Sequence, residues 1–231
     1  MPQTPWFGRA RSIAGEFLII VAGVLVALAV DQWRGSIADR TLEAHYLQRL
    51  GEDLASDTAS FSEYQTVLET KASVLRDLVS DGPLSHLLER ENLMADLVHS
   101  QYKALQPNRA TTFQELQSTG NMKLIRDFGL RGRITEYYMN FDHMSEILSS
   151  SPGEYRKLFL ESIPGEVVYS WRLDSIPPDS PILESGIRSL LSEAPLRAAV
   201  NAELGYTAAL AATQREFKET AAGLLKDLGR S

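Results

Sequence analysis

The chain of 231 residues contains no cysteine, which excludes a disulfide-stapled scaffold and any metal centre with thiolate ligands. Its histidines are never three or four residues apart, so no helix offers a histidine pair with the spacing of metal ligands. Phosphate-binding loops, dinucleotide fingerprints and nucleophile elbows are also missing from the sequence. We therefore expect no catalytic residue, no cofactor and no metal, and a protein that is not an enzyme.

Positive charge is scarce as well. The net charge is −7, and no basic stripe with interleaved aromatic residues occurs, so nucleic acid is not an expected partner. With 44% hydrophobic and 23% charged residues, the composition is that of a folded chain, not a disordered one.

One long apolar run stands out against this background, Phe17 to Val30, with the sequence FLIIVAGVLVALAV. Extended to the flanking residues Ile13 and Trp33, the run is long enough for about 31 Å of helix, which matches the hydrocarbon core of a bilayer. Because the run has no polar face, it is unlike an amphipathic core helix. The sequence therefore predicts a transmembrane helix over residues 13–33 and a lipid bilayer as the first partner.

A cleavable signal peptide is the main alternative, since the arginines of the tail precede an apolar region that ends in Ala27-Leu28-Ala29. Three features favour an uncleaved anchor. Glu16 interrupts the start of the apolar region, no helix breaker precedes Gly35, and Trp33 with Arg34 is typical of an interfacial anchor.

The charge of the tail predicts the orientation. Residues 1–12 hold two arginines and no acid, so the positive-inside rule keeps this tail in the cytoplasm. Residues 34–231 then form an extracytoplasmic domain. In a Gram-negative bacterium this places the chain in the inner membrane with its domain in the periplasm.

The membrane helix carries a candidate association face made of Glu16, Gly23, Ala27 and Asp31, which recur at helical steps along one stripe. The small pair Gly23 and Ala27 permits close approach of a second helix, either from another copy or from a membrane-protein partner. The alternative is a passive anchor, because small residues are common in membrane helices and Glu16 can reach back to water.

Beyond Gly35 the apolar residues recur at three- and four-residue steps, which predicts an all-α domain. We expect the membrane helix to continue as a stalk that ends before Asp81, and the stalk to pack in an antiparallel bundle of about four main helices. The further predicted segments are helices over 84–105, 112–119, 122–128, 130–148, 155–163, 181–192 and 195–228, and a proline-rich surface loop over 164–181.

The block after residue 111 predicts a polar corner between short helices. Thr112 and Glu115 have the spacing of a capping box, Ser118 shares the face of Glu115, and Gly120 suits a left-handed helix end. The corner either binds a small anion or a partner's backbone, or is purely structural, with Arg126 paired to Glu115 or its own neighbour Asp127.

Two blocks carry a resemblance. Residues 15–33, GEFLIIVAGVLVALAVDQW, resemble the opening of an uncharacterised bacterial family of single-pass membrane proteins, a domain of unknown function. The block TFQELQSTG at 112–120, with Leu124-Ile125 and the pair Tyr137-Tyr138, is similar to a second block of that family. The resemblance covers about residues 12–140. It implies an uncleaved anchor with a helical extracytoplasmic domain, and it implies no activity.

These observations favour a membrane-tethered interaction, sensory or scaffold module. The alternative is a secreted or membrane-anchored envelope hydrolase, whose site would have to be assembled from distant residues.

Overall fold

The computed structural model describes residues 6–80, 84–101, 105–149, 153–165 and 181–229, and every regular element in these ranges is helical. The predicted all-α class is therefore confirmed for the described part of the chain. In chain order the elements are α1 (Trp6–Val79), α2 (Leu84–Leu88), α3 (Leu93–Ser100), α4 (Thr111–Ser118), a 3₁₀ turn (Asn121–Leu124), α5 (Phe128–Ser149), α6 (Glu154–Ser162), α7 (Pro181–Ser192) and α8 (Leu196–Leu228).

Helix α1 is one uninterrupted element of 74 residues, about 110 Å long at 1.5 Å per residue. The predicted continuation of the apolar run into a stalk that ends before Asp81 is confirmed. From Leu18 to Val30 nearly every side chain of α1 is exposed, whereas from Tyr46 onward one face of the same helix is buried. A single helix thus presents an uncovered apolar segment at one end and forms the core at the other.

The core consists of two hydrophobic clusters arranged along α1. The first surrounds Leu50, Leu54 and Phe61 of α1 and includes residues of α4, α5 and the carboxyl-terminal half of α8. The second surrounds Val74 and Leu78 of α1 and includes residues of α2, α3, α6, α7 and the beginning of α8. Both clusters use α1 and α8, so these two helices connect the domain from end to end.

Residue pairs across α1 and α8 show how the two helices align. Gly51 lies beside Leu225, the side-chain amide of Gln65 donates to the carbonyl oxygen of Ala211 at 3.0 Å, and the next contact joins residues 71 and 203. Residue numbers rise along α1 while they fall along α8. The two helices therefore run in opposite directions.

A buried ion pair lies where the two clusters meet. Lys71 Nζ and Glu203 Oε1 are 2.6 Å apart, and their side chains are only 1% and 3% exposed. The ring of Tyr206 lies 5.8 Å from the ammonium group, and Thr207 donates its hydroxyl proton to the carbonyl oxygen of Glu203 at 2.7 Å. Because a buried charge is tolerated only with close partners, this pair restricts how α8 can slide along α1.

The predicted helix over 84–105 is wrong, because the structure divides it into α2 and α3 with a turn near Arg90. Leu87 and Leu93 are both buried in the second cluster. On one continuous helix these two side chains would point about 120° apart, so only one of them could face α1. The turn also lets Arg90 bind Asp77 of α1 at 2.7 Å and Asp96 of α3 at 2.9 Å.

Two further segments differ from the predictions. Residues 122–128 were expected to be helical, but the 3₁₀ turn ends at Leu124 and Ile125 is extended, which buries its side chain in the first cluster. The predicted proline-rich loop falls mainly on residues 166–180, which lie outside the described residues.

Removing one partner of the buried ion pair should be costly. We expect Lys71→Met to lower the free energy of unfolding by about 3–5 kcal/mol, because the Glu203 carboxylate stays buried without the ammonium group. The measurement is chemical denaturation of the full-length protein in detergent micelles. The double variant Lys71→Met/Glu203→Leu should recover most of the loss, since neither charge then remains.

Arg188→Met is the matched control, because it breaks the exposed Arg188–Glu184 pair of α7, which has the same 2.6 Å separation. We expect this change to cost less than about 1 kcal/mol. Equal losses of unfolding free energy for the two single variants would contradict this prediction, because the contribution of the Lys71–Glu203 pair would then not depend on its burial.

Candidate functional site

The predicted corner is present at the end of α4. Helix α4 ends at Ser118, and Gly120 adopts a left-handed conformation with φ of 69° before the 3₁₀ turn begins. The left-handed glycine is therefore confirmed, and it reverses the chain direction at a point where a side chain would be strained. Ser118 is exposed, and its hydroxyl donates only to the carbonyl oxygen of Glu115 at 3.1 Å.

The predicted capping box is wrong. Helix α4 begins at Thr111 after Ala110, and this N-cap residue makes no side-chain hydrogen bond to the helix. Thr112 is buried within the first turn, and its backbone N–H donates to Asp53 of α1 at 3.2 Å. The carboxylate of Asp53, on a different helix, satisfies a donor that a capping box would have satisfied locally.

Glu115 points away from its own helix end and towards α1. Its carboxylate accepts hydrogen bonds from Tyr46 Oη at 3.0 Å and from Arg49 Nη1 at 2.7 Å. These hydrogen bonds, the one from Arg49 above all, lower the pKa of the Glu115 carboxyl. Asn121 adds a hydrogen bond from its amide to Tyr46 Oη at 3.1 Å, so that α1, α4 and the 3₁₀ turn meet at one phenol.

One alternative from the sequence was that Arg126 pairs with Glu115 or Asp127, but in the structure Arg126 pairs with Glu43. Its guanidinium lies 3.5 Å from Glu43 of α1, its backbone N–H donates to the same carboxylate at 2.7 Å, and a further N–H reaches the carbonyl oxygen of Ser36 at 3.4 Å. Three of the predicted corner residues, Thr112, Glu115 and Arg126, thus bind α1 at separate points instead of converging on one pocket.

The structure instead reveals an anchoring face on α1. Residues 105–127, which we call the strap, lie along this face, and the anchoring side chains follow one another at steps of three and four residues. Three of the anchors are carboxylates that accept backbone N–H groups of the strap. The anchoring residues are Glu43, Tyr46, Arg49, Asp53 and Asp57.

The innermost anchor is Asp57, whose side chain is only 1% exposed. Its carboxylate accepts the backbone N–H of Arg109 at 2.6 Å and the hydroxyl of Tyr137 at 3.0 Å. Burial raises the pKa of Asp57 from 3.8 to about 6, although both hydrogen bonds act in the opposite direction. Burial and the adjacent Asp57 charge also raise the pKa of the Tyr137 phenol.

Helices α5 and α8 enclose an open groove of about 580 Å³. Its floor is formed by the buried or half-buried residues Tyr137, Met144, Phe217 and Leu224, and its rim by polar residues of both helices. An apolar floor with a polar rim is typical of binding sites for small molecules or peptides. The rim residues include Glu136, Asn140, His143, Thr213, Glu216 and Thr220.

A second recess, of about 600 Å³, lies beside the groove, next to the part of α1 that follows the apolar segment. Arg133 and Asp227 line both spaces, and their ion pair of 3.0 Å separates them. The second recess is lined on its other side by α1 residues that include Arg40 and Leu47.

The alternative, a hydrolase, would need a catalytic group that lines the groove. A carboxylate with a raised pKa inside a cleft is a common sign of acid–base catalysis. Asp57 has the raised pKa, but it does not line the groove, and its oxygens accept hydrogen bonds from the backbone N–H of Arg109 and the hydroxyl of Tyr137. No group of three histidine, aspartate or glutamate side chains within the described residues could hold a metal ion.

The predicted membrane residues are uncovered by the rest of the described chain. A Cβ added at Gly23 would have no atom within 4 Å, and Ala27, Asp31, Trp33 and Arg34 are all exposed. Glu16 belongs to α1, but its side chain lies outside the described part of the structure.

No family model matches the chain, and no curated protein or solved structure matches it significantly. The resemblance to the bacterial family therefore stays a prediction carried by the two sequence blocks alone.

Sequence reasoning missed the anchoring face. The available signal was a run of polar residues at steps of three and four beside the buried Leu50 and Leu54. This pattern indicates polar side chains next to a core stripe, but it does not indicate which segment they bind.

Replacing Asp57 with asparagine should change how stability depends on pH. Because the folded-state pKa of Asp57 is raised, folding binds a proton between about pH 4 and 6, and the native carboxylate becomes less favourable as the pH rises. We expect the stability of Asp57→Asn relative to the unmodified protein to increase by about 2–3 kcal/mol between pH 4 and pH 7. Denaturation of the full-length protein in detergent at both pH values measures this.

Tyr137→Phe is the matched variant, because it keeps the ring and removes the hydroxyl that donates to Asp57. It should lower stability more at pH 7 than at pH 4, the opposite trend to Asp57→Asn. A stability gap that is constant across this pH range for both variants would contradict the raised pKa.

Proposed function

We propose that the protein is a membrane-anchored extracytoplasmic interaction module with a sensory or scaffold role. The observation that carries this proposal is the continuity of α1, which joins an exposed apolar segment to the core of a folded domain without a break. A module of this kind needs no catalytic group, in keeping with the absence of catalytic motifs from the sequence.

The membrane anchor is supported by the exposed segment. Near its beginning, α1 contains a stretch that is long and apolar enough to cross a bilayer, and none of this stretch is buried against described residues. In water such a surface would be strongly unfavourable, whereas in lipid it needs no partner. A signal sequence has the same composition, but here the helix continues through Ala27-Leu28-Ala29 into the core.

The orientation follows from the charge of the tail. The two arginines of residues 1–12 favour a cytoplasmic amino terminus, with the helical domain on the other side as an antiparallel bundle. In a Gram-negative cell the domain would occupy the periplasm. In this proposal, any signal passes through a membrane partner or through the association state of the helix.

The interaction surfaces of the proposal are the exposed face at Gly23 and Ala27 and the groove between α5 and α8. The first permits close helix packing inside the bilayer, with a second copy or with a membrane-protein partner. The second is an open cleft whose apolar floor suits a peptide or small molecule.

Crosslinking in membranes tests the association, and the absence of native cysteine makes single-cysteine variants clean reporters. We expect Gly23→Cys and Ala27→Cys to form disulfide dimers in oxidised membranes, and Leu25→Cys to form few, because position 25 lies on the opposite side of the helix. A non-reducing gel of the membrane fraction measures the dimer.

Equal crosslinking at all three positions would contradict a specific association face and leave a passive anchor. Release of a soluble fragment that lacks the apolar segment would contradict the anchor itself and identify a cleaved signal peptide.

A further inference from the structure

The groove between α5 and α8 is elongated, because its two walls are antiparallel helices. At one end Arg133 of α5 pairs with Asp227 of α8, and the last turn of α5 accepts a hydrogen bond from Tyr206 of α8. The lining residues span 133–144 of α5 and 213–227 of α8. At 1.5 Å per residue these spans are about 16 and 21 Å long, which is the length of a helix of three to four turns.

The lining positions recur at the steps by which helices pack on one another. Steps of three and four residues place them on one continuous stripe of each helix. Two such stripes side by side form the surface on which a further helix lies in a helical bundle. No described residue outside α5 and α8 lines the groove. The positions are 133, 136, 137, 140, 143 and 144 of α5, and 213, 216, 217, 220, 223, 224 and 227 of α8.

The rim of the groove carries negative charge. Arg133 and Asp227 offset each other in their ion pair, so the formal charges that remain are those of Glu136 on α5 and Glu216 on α8. Both glutamates are exposed, and neither forms an ion pair within the described ranges. An occupant with positive charge would therefore match this rim.

A ring contact gives the relative heights of the two carboxylates. The ring of Phe141 lies 4.9 Å from that of Phe217, so Glu216 lies close to the height of Phe141. Glu136 precedes Phe141 by five residues, which is about 7.5 Å along α5. Two basic side chains on a partner helix, one to two turns apart, could therefore each reach one of the glutamates.

A glycine in the wall of the groove permits close approach of a partner. Gly223 lies inside α8, where glycine is a poorer helix former than alanine. A Cβ added at Gly223 would have no atom within 4 Å, so no contact with the described chain requires a glycine there. A larger side chain at this position would instead extend into the groove, since Gly223 is one of its lining residues.

We propose that the groove between α5 and α8 binds a basic amphipathic helix of a partner protein. The apolar face of that helix packs on the floor of the groove, and its lysine or arginine side chains bind Glu136 and Glu216. A second copy of this chain, with its net charge of −7, is a poorer match for two carboxylates. The inference rests on the proposed function, which gives the groove an interaction role, and it adds the chemistry of the partner.

Selection from a library of helical peptides tests the proposal on the full-length protein in phosphatidylcholine nanodiscs. Each phage-displayed peptide has one fixed apolar face of about four turns, to match the length of the groove. Its other positions vary among lysine, glutamate, glutamine and serine. Empty nanodiscs first remove the peptides that bind lipid. We expect the enriched peptides to contain more lysine than glutamate.

The enriched peptides are then synthesised with a fluorophore, and their affinity is measured by fluorescence anisotropy. We expect Gly223→Leu to weaken binding by at least about tenfold, because the added side chain occupies the groove. Gly205→Leu is the matched control, since Gly205 lies on the same side of α8, about 27 Å away and outside the groove, and its Cβ would also have no atom within 4 Å. Both changes introduce a better helix former, so the fold is retained.

The charge of the rim is tested by the double variant Glu136→Gln/Glu216→Gln. We expect several-fold weaker binding at low salt and a smaller difference at high salt, because salt screens exposed charges. The proposal is overturned if no peptide is enriched over empty nanodiscs, if the enriched peptides are acidic, or if Gly223→Leu binds them as well as Gly205→Leu does. Disulfide dimers of a Thr220→Cys protein would assign the groove to a second copy, which also overturns it.

Co-elution of the protein with nanodiscs separates this proposal from the proposed anchor. If the chain elutes with the nanodiscs but binds no peptide in the groove, the partner helix is overturned and the anchor stands. If the chain elutes without lipid, the anchor fails, and the same selection is carried out on the full-length chain in buffer. Peptide binding that Gly223→Leu weakens would then support the groove without the anchor.

Discussion

The unbroken backbone hydrogen-bond ladder of α1 is the constraint on which the rest of the structure depends. Over 74 residues no proline interrupts it, and its two internal glycines after the apolar run, Gly35 and Gly51, are accommodated within the helix. Because a helix is stiff over this length, the direction of the apolar segment determines the direction of the domain's central element. Helices α2, α3, α4 and α8 pack directly on this rod, and α5, α6 and α7 pack on α8.

Buried charge then determines how the other elements align on α1. Lys71 forms its ion pair with Glu203, which determines the position of α8 along α1. Asp57 accepts the backbone N–H of Arg109, which determines the position of the strap along α1. Hydrophobic contacts between helices tolerate a slide of one turn, because one leucine replaces another, but a buried ion pair does not. These polar contacts add little net stability over apolar residues of the same shape. Their effect is to exclude alternative registers.

The helices could be predicted from the sequence, whereas the partners of polar residues could not. Apolar periodicity placed α5, α7, α8 and the carboxyl-terminal end of α1 within a few residues, since local backbone and burial preferences determine a long amphipathic helix. The break at Arg90, the anchoring of Glu115 and the pairing of Arg126 with Glu43 depend on which helices become neighbours in space. A capping-box spacing at Thr112 and Glu115 is satisfied by the local chain only when no other helix competes for the carboxylate.

The position of the anchoring face links the membrane segment to the strap. From Ser36 to Asp57 the strap is attached to α1 at intervals of one or two turns, and three of these bonds involve backbone N–H groups of the strap. Side chains can change rotamer when a helix rotates, but a backbone N–H can follow its acceptor only if the chain around it moves. A rotation of α1 in the bilayer would therefore carry the strap and the first turn of α5 with it. The floor of the groove includes Tyr137, whose hydroxyl donates a hydrogen bond to Asp57 of α1. The groove is therefore connected to α1 through this hydrogen bond.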